Sequence, residues 1–215
     1  MWPTSQVYGR TFTGVSSKRR TLALTYDDGP NDPYTLRLLD LLASHNVKAT
    51  FFMRGRAVEQ LSEVARAVAA AGHAIGNHTY SHPNLIFATP AQVRHEIARC
   101  AAVLNNTVGE HTTLFRPPFG ARRPDVLATV RRMGMVPVMW RVSAEDWKGH
   151  SAALIVSRLQ ERIRGGEVLL MHDGGHQRLG VDRSETVAAT DMLIRHYKDR
   201  GFTFETVPEM MAHAD

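Results

Sequence analysis

The chain has 215 residues, of which 43% are hydrophobic and 22% are charged, and this balance predicts one ordinary globular domain with enough apolar material for a core. Its one cysteine, Cys100, excludes an internal disulfide and a multi-cysteine zinc site. The net charge of +5 favours anionic partners, but no dense basic run interleaved with aromatic residues indicates nucleic-acid binding, and no apolar stretch is long enough to span a bilayer.

Apolar runs alternate with helical patterns along nearly the whole chain. In chain order the predicted elements are strand 21–26, helix 32–45, strand 47–53, helix 59–72, strand 73–77, helix 89–106, strand 113–115, helix 123–134, strand 135–142, helix 151–166, strand 167–171, helix 184–201 and strand 202–207. About seven strand–helix units in succession predict an α/β fold with a parallel sheet, closed as a barrel or wound open.

Five polar clusters each begin where a predicted strand ends. They are DDGP at 27–30, HTYSH at 78–82, RPPFG at 116–120, SAEDW at 143–147 and HDGGH at 172–176. In parallel α/β folds the carboxyl ends of the strands form one face, and that face carries the active site. We therefore expect these clusters to lie together in one site, although they are far apart in the sequence.

The first two clusters contain candidate metal ligands. Asp27 and Asp28 are adjacent acids that would repel each other unless a cation relieved the repulsion, although a simple surface turn would also explain them. His78 and His82 are four residues apart, which on a helical turn puts both imidazoles near one ion. Such a pair can arise by chance among eleven histidines. One carboxylate with both histidines makes a set suited to zinc or another divalent transition metal.

The remaining clusters supply groups for proton transfer. A bound divalent ion lowers the pKa of its water, and the second carboxylate of the adjacent pair could accept that water's proton. His172 could then protonate a leaving group, with Asp146 fixing its tautomer. Arg116 could pair with the base carboxylate and keep it ionised. The simpler interpretations are a surface salt bridge for Arg116 and a helix cap for Asp146.

With these residues in place, the sequence resembles the polysaccharide deacetylases of the NodB-homology type, carbohydrate esterase family 4. The five family motifs occur in order as TYDDGP, HTYSH, RPPFG, SAEDW and LMH, and the fourth departs from the family in having Ser143 at its first acidic position. The resemblance implies a distorted (β/α) barrel of about seven units. It also implies a catalytic domain over residues 20–208, with a lead-in over 1–19 and a tail over 209–215.

The resemblance implies a role for each matching residue. The catalytic group that it implies consists of the base Asp27, the acid His172 and the residues that orient them, Arg116 and Asp146. The metal ligands that it implies are Asp28, His78 and His82. The backbone N–H of Phe119 would donate a hydrogen bond to the oxyanion, and Trp147 and Leu170 would line the acetyl pocket.

The implied function is metal-dependent removal of N-acetyl groups from N-acetylglucosamine-containing glycans, such as chitin, chito-oligosaccharides or peptidoglycan, with release of acetate. The expected cofactor is Zn²⁺, with Co²⁺, Ni²⁺ or Mn²⁺ as alternatives. An acetylxylan esterase and a small-amide hydrolase are alternative enzymes on the same fold. A non-catalytic carbohydrate-binding protein is the alternative from a different class.

The expected partner is an N-acetylated glycan, with no nucleic acid and no membrane span, and we expect a monomer. Residues 1–14 contain no apolar signal core after a positive start, so the sequence predicts either a cytoplasmic protein or one whose export leader has been removed. Because such glycans lie outside the cytoplasm, we expect a secreted or cell-envelope location.

Overall fold

A computed structural model describes residues 3–109 and 111–214. The strands in this range are β1 (Thr21–Asp27), β2 (Thr50–Met53), β3 (Ala74–Asn77), β4 (Leu114–Phe115), β5 (Val136–Pro137), β6 (Val142–Ser143), β7 (Glu167–His172) and β8 (Thr203–Phe204). The helices are α1 (Tyr34–Ser44), α2 (Gly55–Gln60), α3 (Ser62–Ala70), α4 (Pro90–Val108), α5 (Pro124–Arg132), α6 (Ala152–Gln160), α7 (Ser184–Lys198) and α8 (Val207–Ala212). The predicted alternation of strands and helices is therefore confirmed.

The strands form one parallel sheet in which β1 pairs with β2 on one side and β7 on the other. The order is β5-β4-β3-β2-β1-β7-β6, and β8 pairs with the start of β1. All seven residues of β1 are buried, as expected for an apolar strand covered on both faces. The register of β1 and β7 places Asp27 beside His172 at their carboxyl ends. Two residues from distant parts of the sequence thus meet at one end of the sheet.

The predicted single strand over 135–142 is wrong, because the segment contains the two short strands β5 and β6. Its hydrogen-bond partners change along the way: the Val138 N–H donates to the carbonyl of Phe115 on β4, at 2.8 Å, whereas the Arg141 N–H donates to the carbonyl of Val168 on β7, at 3.0 Å. Since β5 and β6 occupy opposite edges of the sheet, the segment between them joins these edges. The sheet is curled accordingly, and the expected distorted barrel is confirmed.

Two other predicted elements differ from the observed ones. The helix predicted over 59–72 is two helices, α2 and α3, which break at Leu61, where φ is −127° and ψ is 50°. The strand predicted over 202–207 is reduced to β8, because Thr206 caps the N-terminus of α8 in a capping box with Glu209. Within the part of the chain that the structure describes, no helix combines the length and the apolar character needed to cross a bilayer.

Gly76 in β3 provides a test of the packing between side chains of adjacent strands, β2 and β4, in the sheet. A Cβ at this position would lie 2.5 Å from Cε1 of Phe52 and 3.3 Å from Cβ of Leu114. We expect Gly76→Ala to lower the free energy of unfolding by about 1–3 kcal/mol through overpacking. Urea denaturation followed by circular dichroism measures this loss. The loss should be smaller in a Phe52→Leu background, and an equal loss in both backgrounds would contradict the steric cause.

Candidate functional site

The carboxyl ends of the strands surround a cavity of about 570 Å³. Eight of the ten site residues predicted from the sequence line it: Asp27, Asp28, His78, His82, Phe119, Trp147, Leu170 and His172. The other two, Arg116 and Asp146, are buried and bonded to residues of that lining. The structure therefore brings all ten predicted site residues together around one cavity.

Asp28, His78 and His82 are clustered closely enough to hold one ion. One ligand atom from each lies within 4.8 Å of the others, and all three residues are buried. The Asp28 Oδ1 atom is 3.2 Å from His82 Nε2 and 3.7 Å from His78 Nε2. That Oδ1 atom has no hydrogen-bond partner among the described residues, which is costly for a buried carboxylate oxygen. The three residues therefore fit a cation.

The two histidines are held as neutral imidazoles, the form that binds a metal. Burial lowers the pKa of His78 to about 4 and that of His82 to about 3. The Nδ1 atom of His78 lies 2.8 Å from the carbonyl oxygen of Arg116. Because a carbonyl can only accept, this Nδ1 carries the proton, and the lone pair is left on Nε2, the atom near Asp28.

The loop that carries these histidines is irregular, so the predicted helical turn over His78 and His82 is wrong. Thr79 and His82 have φ of +64° and +62°, and Asp28 and Phe119, elsewhere in the site, have φ of +76° and +58°. These four are among the six residues other than glycine with positive φ in the described part of the chain. Such backbone is strained, and its concentration here is typical of a functional site.

Asp27 lies beside the cluster and is paired with Arg116. The Arg116 Nη1 atom donates to Asp27 Oδ1 at 2.7 Å and to Thr25 Oγ1 at 2.7 Å. Arg116 is fully buried, so it is not the surface salt bridge of the simpler interpretation. Burial raises the pKa of Asp27 above its ordinary value, while the guanidinium of Arg116 opposes this rise. The second oxygen, Oδ2, lies 3.7 Å from Nε2 of His78, one of the three clustered residues.

His172 and Asp146 form a second charged pair in the wall of the cavity. The two carboxylate oxygens of Asp146 accept from His172 Nδ1 at 2.9 Å and from the His172 backbone N–H at 2.8 Å. Thr186 donates to Asp146 as well, at 2.9 Å. Burial opposes the imidazolium, but the charge and hydrogen bond of Asp146, together with the charges of Asp28 and Asp27, outweigh burial and raise the pKa of His172 to about 9. The raised pKa favours the imidazolium form of His172 at neutral pH, and the bond to Asp146 fixes the orientation of its ring.

Ser143, where the fourth motif departs from the family pattern, lies directly before the segment that carries Asp146 and Trp147. It lies in β6, and its Oγ atom accepts the backbone N–H of Glu145 at 3.4 Å. The Glu145 side chain is held in turn by Lys148 and Arg158, each at 2.9 Å. Despite the serine, Asp146 and Trp147 reach His172, with the Trp147 ring centroid 5.0 Å from that of His172.

Sequence reasoning missed two residues that contact the site. Arg54 donates to the backbone carbonyl of Asp28 at 3.0 Å and to that of His176 at 3.1 Å. The ring of His176 stacks on His82, with centroids 5.0 Å apart. Arg54 directly follows the apolar run TFFM, so its place at a strand end was a usable signal. His176 closes the cluster HDGGH that follows β7, so its place near the site had the same signal, but its stacking on His82 depends on the path of the loop.

Comparison with known proteins gives consistent matches. A family model described as polysaccharide deacetylase matches residues 14–138. A peptidoglycan-N-acetylglucosamine deacetylase of Bacillus cereus is 38% identical over 205 residues, which cover 94% of this chain and 72% of the relative. A chitooligosaccharide deacetylase of Bradyrhizobium is 36% identical, with 92% of this chain and 93% of the relative covered. The solved structure of the Bc1960 peptidoglycan N-acetylglucosamine deacetylase has a TM-score of 0.87 and 36% identity, covering 93% of this chain and 91% of that one.

Proposed function

Because the chain belongs to the polysaccharide deacetylase family, we propose that it hydrolyses the N-acetyl groups of N-acetylglucosamine units in a glycan and releases acetate. The observation that carries the proposal is the placement of the carboxylate Asp27, the cluster at Asp28 and the protonated His172 around one cavity. A base, a cation site and an acid are the groups that metal-assisted amide hydrolysis uses.

We propose that Asp28, His78 and His82 hold the metal, with Zn²⁺ as the first candidate and Co²⁺, Ni²⁺ or Mn²⁺ as alternatives. When bound, such an ion polarises a carbonyl and makes a water easier to deprotonate. The side chain of Asp27 accepts a proton from the attacking water, and Arg116 fixes the orientation of that carboxylate through Oδ1. The water oxygen then forms the new bond to the acetyl carbon.

Collapse of the tetrahedral intermediate breaks the bond between the acetyl carbon and the sugar nitrogen. His172 donates its proton to that nitrogen from Nε2, because Nδ1 is bonded to Asp146. The oxyanion donor in this proposal is the backbone N–H of Phe119, a residue that lines the cavity. Trp147 and Leu170 line the cavity beside His172 and form the walls for the acetyl methyl group.

Several finer features belong to the same proposal. We propose that the substrate is peptidoglycan or a chito-oligosaccharide, the glycans named for the matched relatives, and that the protein acts in the cell envelope where such glycans lie. We also propose that the enzyme is a monomer. Residues 20–208 would form the catalytic domain.

Acetate release tests this function directly. The zinc-loaded protein is incubated with chitotetraose, peptidoglycan fragments, acetylxylan and a small acetamide, and the masses of the products are measured by mass spectrometry. We expect mass losses of one acetyl group per reaction on the two amino-sugar glycans. Release from acetylxylan or the acetamide alone would favour the alternative hydrolases, and bound glycan without acetate would favour a binding protein.

The pair of His172 and Asp146 predicts a specific pH dependence. The proton donor is the imidazolium, so kcat/KM should fall as the pH rises through about 9, the pKa of His172. Asp146→Asn removes the charge that raises this pKa, and the alkaline limb should move toward about 6.5, the ordinary histidine value. Profiles of kcat/KM from pH 5 to 10 locate the alkaline limb in the wild-type protein and in the variant. An alkaline limb that stays in place in the variant would exclude His172 as its source.

A further inference from the structure

The loop between β7 and α7, residues 173–183, begins in tight contact with the turn that carries Asp28. The Gly174 N–H donates to the carbonyl of Asp27 at 3.3 Å, and a Cβ on Gly174 would lie 2.4 Å from the carbonyl oxygen of Asp28. Only glycine permits two backbones to approach this closely. The start of the loop is therefore held in place beside the candidate metal ligands.

Arg54 extends this contact as far as His176. Its buried guanidinium donates from Nε to the carbonyl of Asp28 at 3.0 Å and from Nη1 to the carbonyl of His176 at 3.1 Å. One planar group thus joins the backbone of a candidate metal ligand to the backbone of His176. The position of His176 relative to Asp28 is consequently fixed by two hydrogen bonds from the same side chain.

Ring contacts show where the side chain of His176 lies. Its imidazole is stacked on that of His82, with centroids 5.0 Å apart and planes at 24°, and it contacts the ring of Phe119 in a T-shaped arrangement, with centroids 5.3 Å apart. All three residues line the cavity, and His176 is exposed. Neither of its ring nitrogens has a hydrogen-bond partner among residues 3–109 and 111–214. The polar atoms of this ring are therefore available to a ligand in the cavity.

The depth of the cavity determines which part of a glycan lies beside His176. Asp27 and Asp28 are only 3% and 4% exposed, so an acetamide group must enter the cavity deeply to reach them. The sugar ring that carries the acetamide then stays at the mouth, where His176 is exposed. Inside a chain of β-1,4-linked N-acetylglucosamine units, the hydroxyls left on each ring are those on carbons 3 and 6.

We propose that His176 binds a hydroxyl group of the N-acetylglucosamine unit that is deacetylated. A hydroxyl both donates and accepts hydrogen bonds, and an imidazole can do the same through its two nitrogens. This bond fixes the rotation of the sugar ring about its acetamide group, and it is lost with a small acetamide that has no sugar. His176 is thus a specificity-determining residue, and the inference rests on the proposed function.

One substitution separates the hydrogen bond from the ring contacts. His176→Phe keeps a ring against His82 and Phe119 but has no ring nitrogen. We expect it to raise KM about fivefold on chitotetraose and on peptidoglycan fragments, the size of one hydrogen bond, and to leave kcat nearly unchanged. The matched control is His95→Phe, which changes an exposed histidine on α4 outside the cavity and should keep the wild-type KM.

Deoxy substrates identify the hydroxyl group that His176 contacts. Chitotetraose is compared with two analogues, in which either the 3-hydroxyl or the 6-hydroxyl groups are replaced by hydrogen. The wild-type protein should lose about fivefold in kcat/KM on one analogue. His176→Phe should show no further loss on that analogue, because the partner of the hydroxyl is already gone. The two substitutions, one in the protein and one in the sugar, form a double-mutant cycle.

Zinc binding distinguishes this role from that of a further metal ligand. Isothermal titration calorimetry should give His176→Phe the zinc affinity of the wild-type protein. Weaker zinc binding, a wild-type KM in this variant, or the same loss on both deoxy analogues with and without His176 would overturn the hydroxyl contact, while acetate release upheld the deacetylase. A zinc-loaded wild-type protein that released acetate from neither chitotetraose nor peptidoglycan fragments would overturn both.

Discussion

Replacing Asp27 with asparagine should lower kcat for acetate release by about 10²- to 10⁴-fold, the range that loss of a general base produces. The amide oxygen can still accept the hydrogen bond that Arg116 Nη1 makes at 2.7 Å, so the side chain should stay in place. An amide cannot take up the proton of the attacking water. Initial rates on chitotetraose at saturating concentration, with the zinc content of each sample measured, give the comparison.

The Asp27 variant needs a control for the loss of a buried acid. Asp173 is fully buried near the site, accepts from Thr35 Oγ1 at 2.6 Å, and has its pKa raised by burial to about 7. Asparagine resembles the neutral form that this residue already populates, so Asp173→Asn should retain most of the activity. Circular dichroism should show both variants folded. An active, zinc-loaded Asp27→Asn protein would exclude Asp27 as the base.

Removing one proposed zinc ligand from the group of Asp28, His78 and His82 should abolish acetate release and most of the stabilisation by zinc. We choose His82→Asn, because asparagine tolerates the positive φ of +62° at this position better than most residues. In the wild-type protein, zinc at a hundredfold excess over its Kd should add about 2.7 kcal/mol to the free energy of unfolding. The variant should lose most of this increase, and acetate release should fall to the level of the chelated wild-type protein.

Isothermal titration calorimetry and thermal unfolding with and without zinc measure these effects. The matched control is His95→Asn, which changes an exposed histidine on α4 in the same way. Its zinc affinity and activity should equal those of the wild type. If His82→Asn bound zinc as tightly as His95→Asn, the cluster of Asp28, His78 and His82 would not be the metal site.

The sequence predicts β1 and β7 to within one residue, because TLALTY and EVLLM are short, mainly apolar segments that are followed by polar clusters. The same reasoning fails over 135–142. An apolar run shows which residues are buried, but it carries no information on which strand they pair with. This run changes its partner from β4 to β7, and only the three-dimensional path of the chain determines that change.

The site likewise contains residues that could be located from the sequence and residues that could not. The residues that directly follow strands, such as Asp28 and Arg116, could be located from the sequence because parallel strands end on one face. The contacts of the β7–α7 loop could not, since they depend on the side chain of Asn31, which is 149 positions before its partner Gly180. Long-range bonds of this kind leave no periodic pattern in the sequence.

The left-handed residues around the cavity constrain how this protein can be engineered for heat resistance. Glycine would relieve the backbone strain at Asp28 or His82, and strain of this kind costs on the order of 1–3 kcal/mol per position. At these two positions it would also delete the side chain that the proposed chemistry needs. Thr79 is bonded too, since its Oγ1 atom accepts the His82 N–H at 3.1 Å. We therefore expect directed evolution for stability to select substitutions in the outer helices and to retain the residues at these positions.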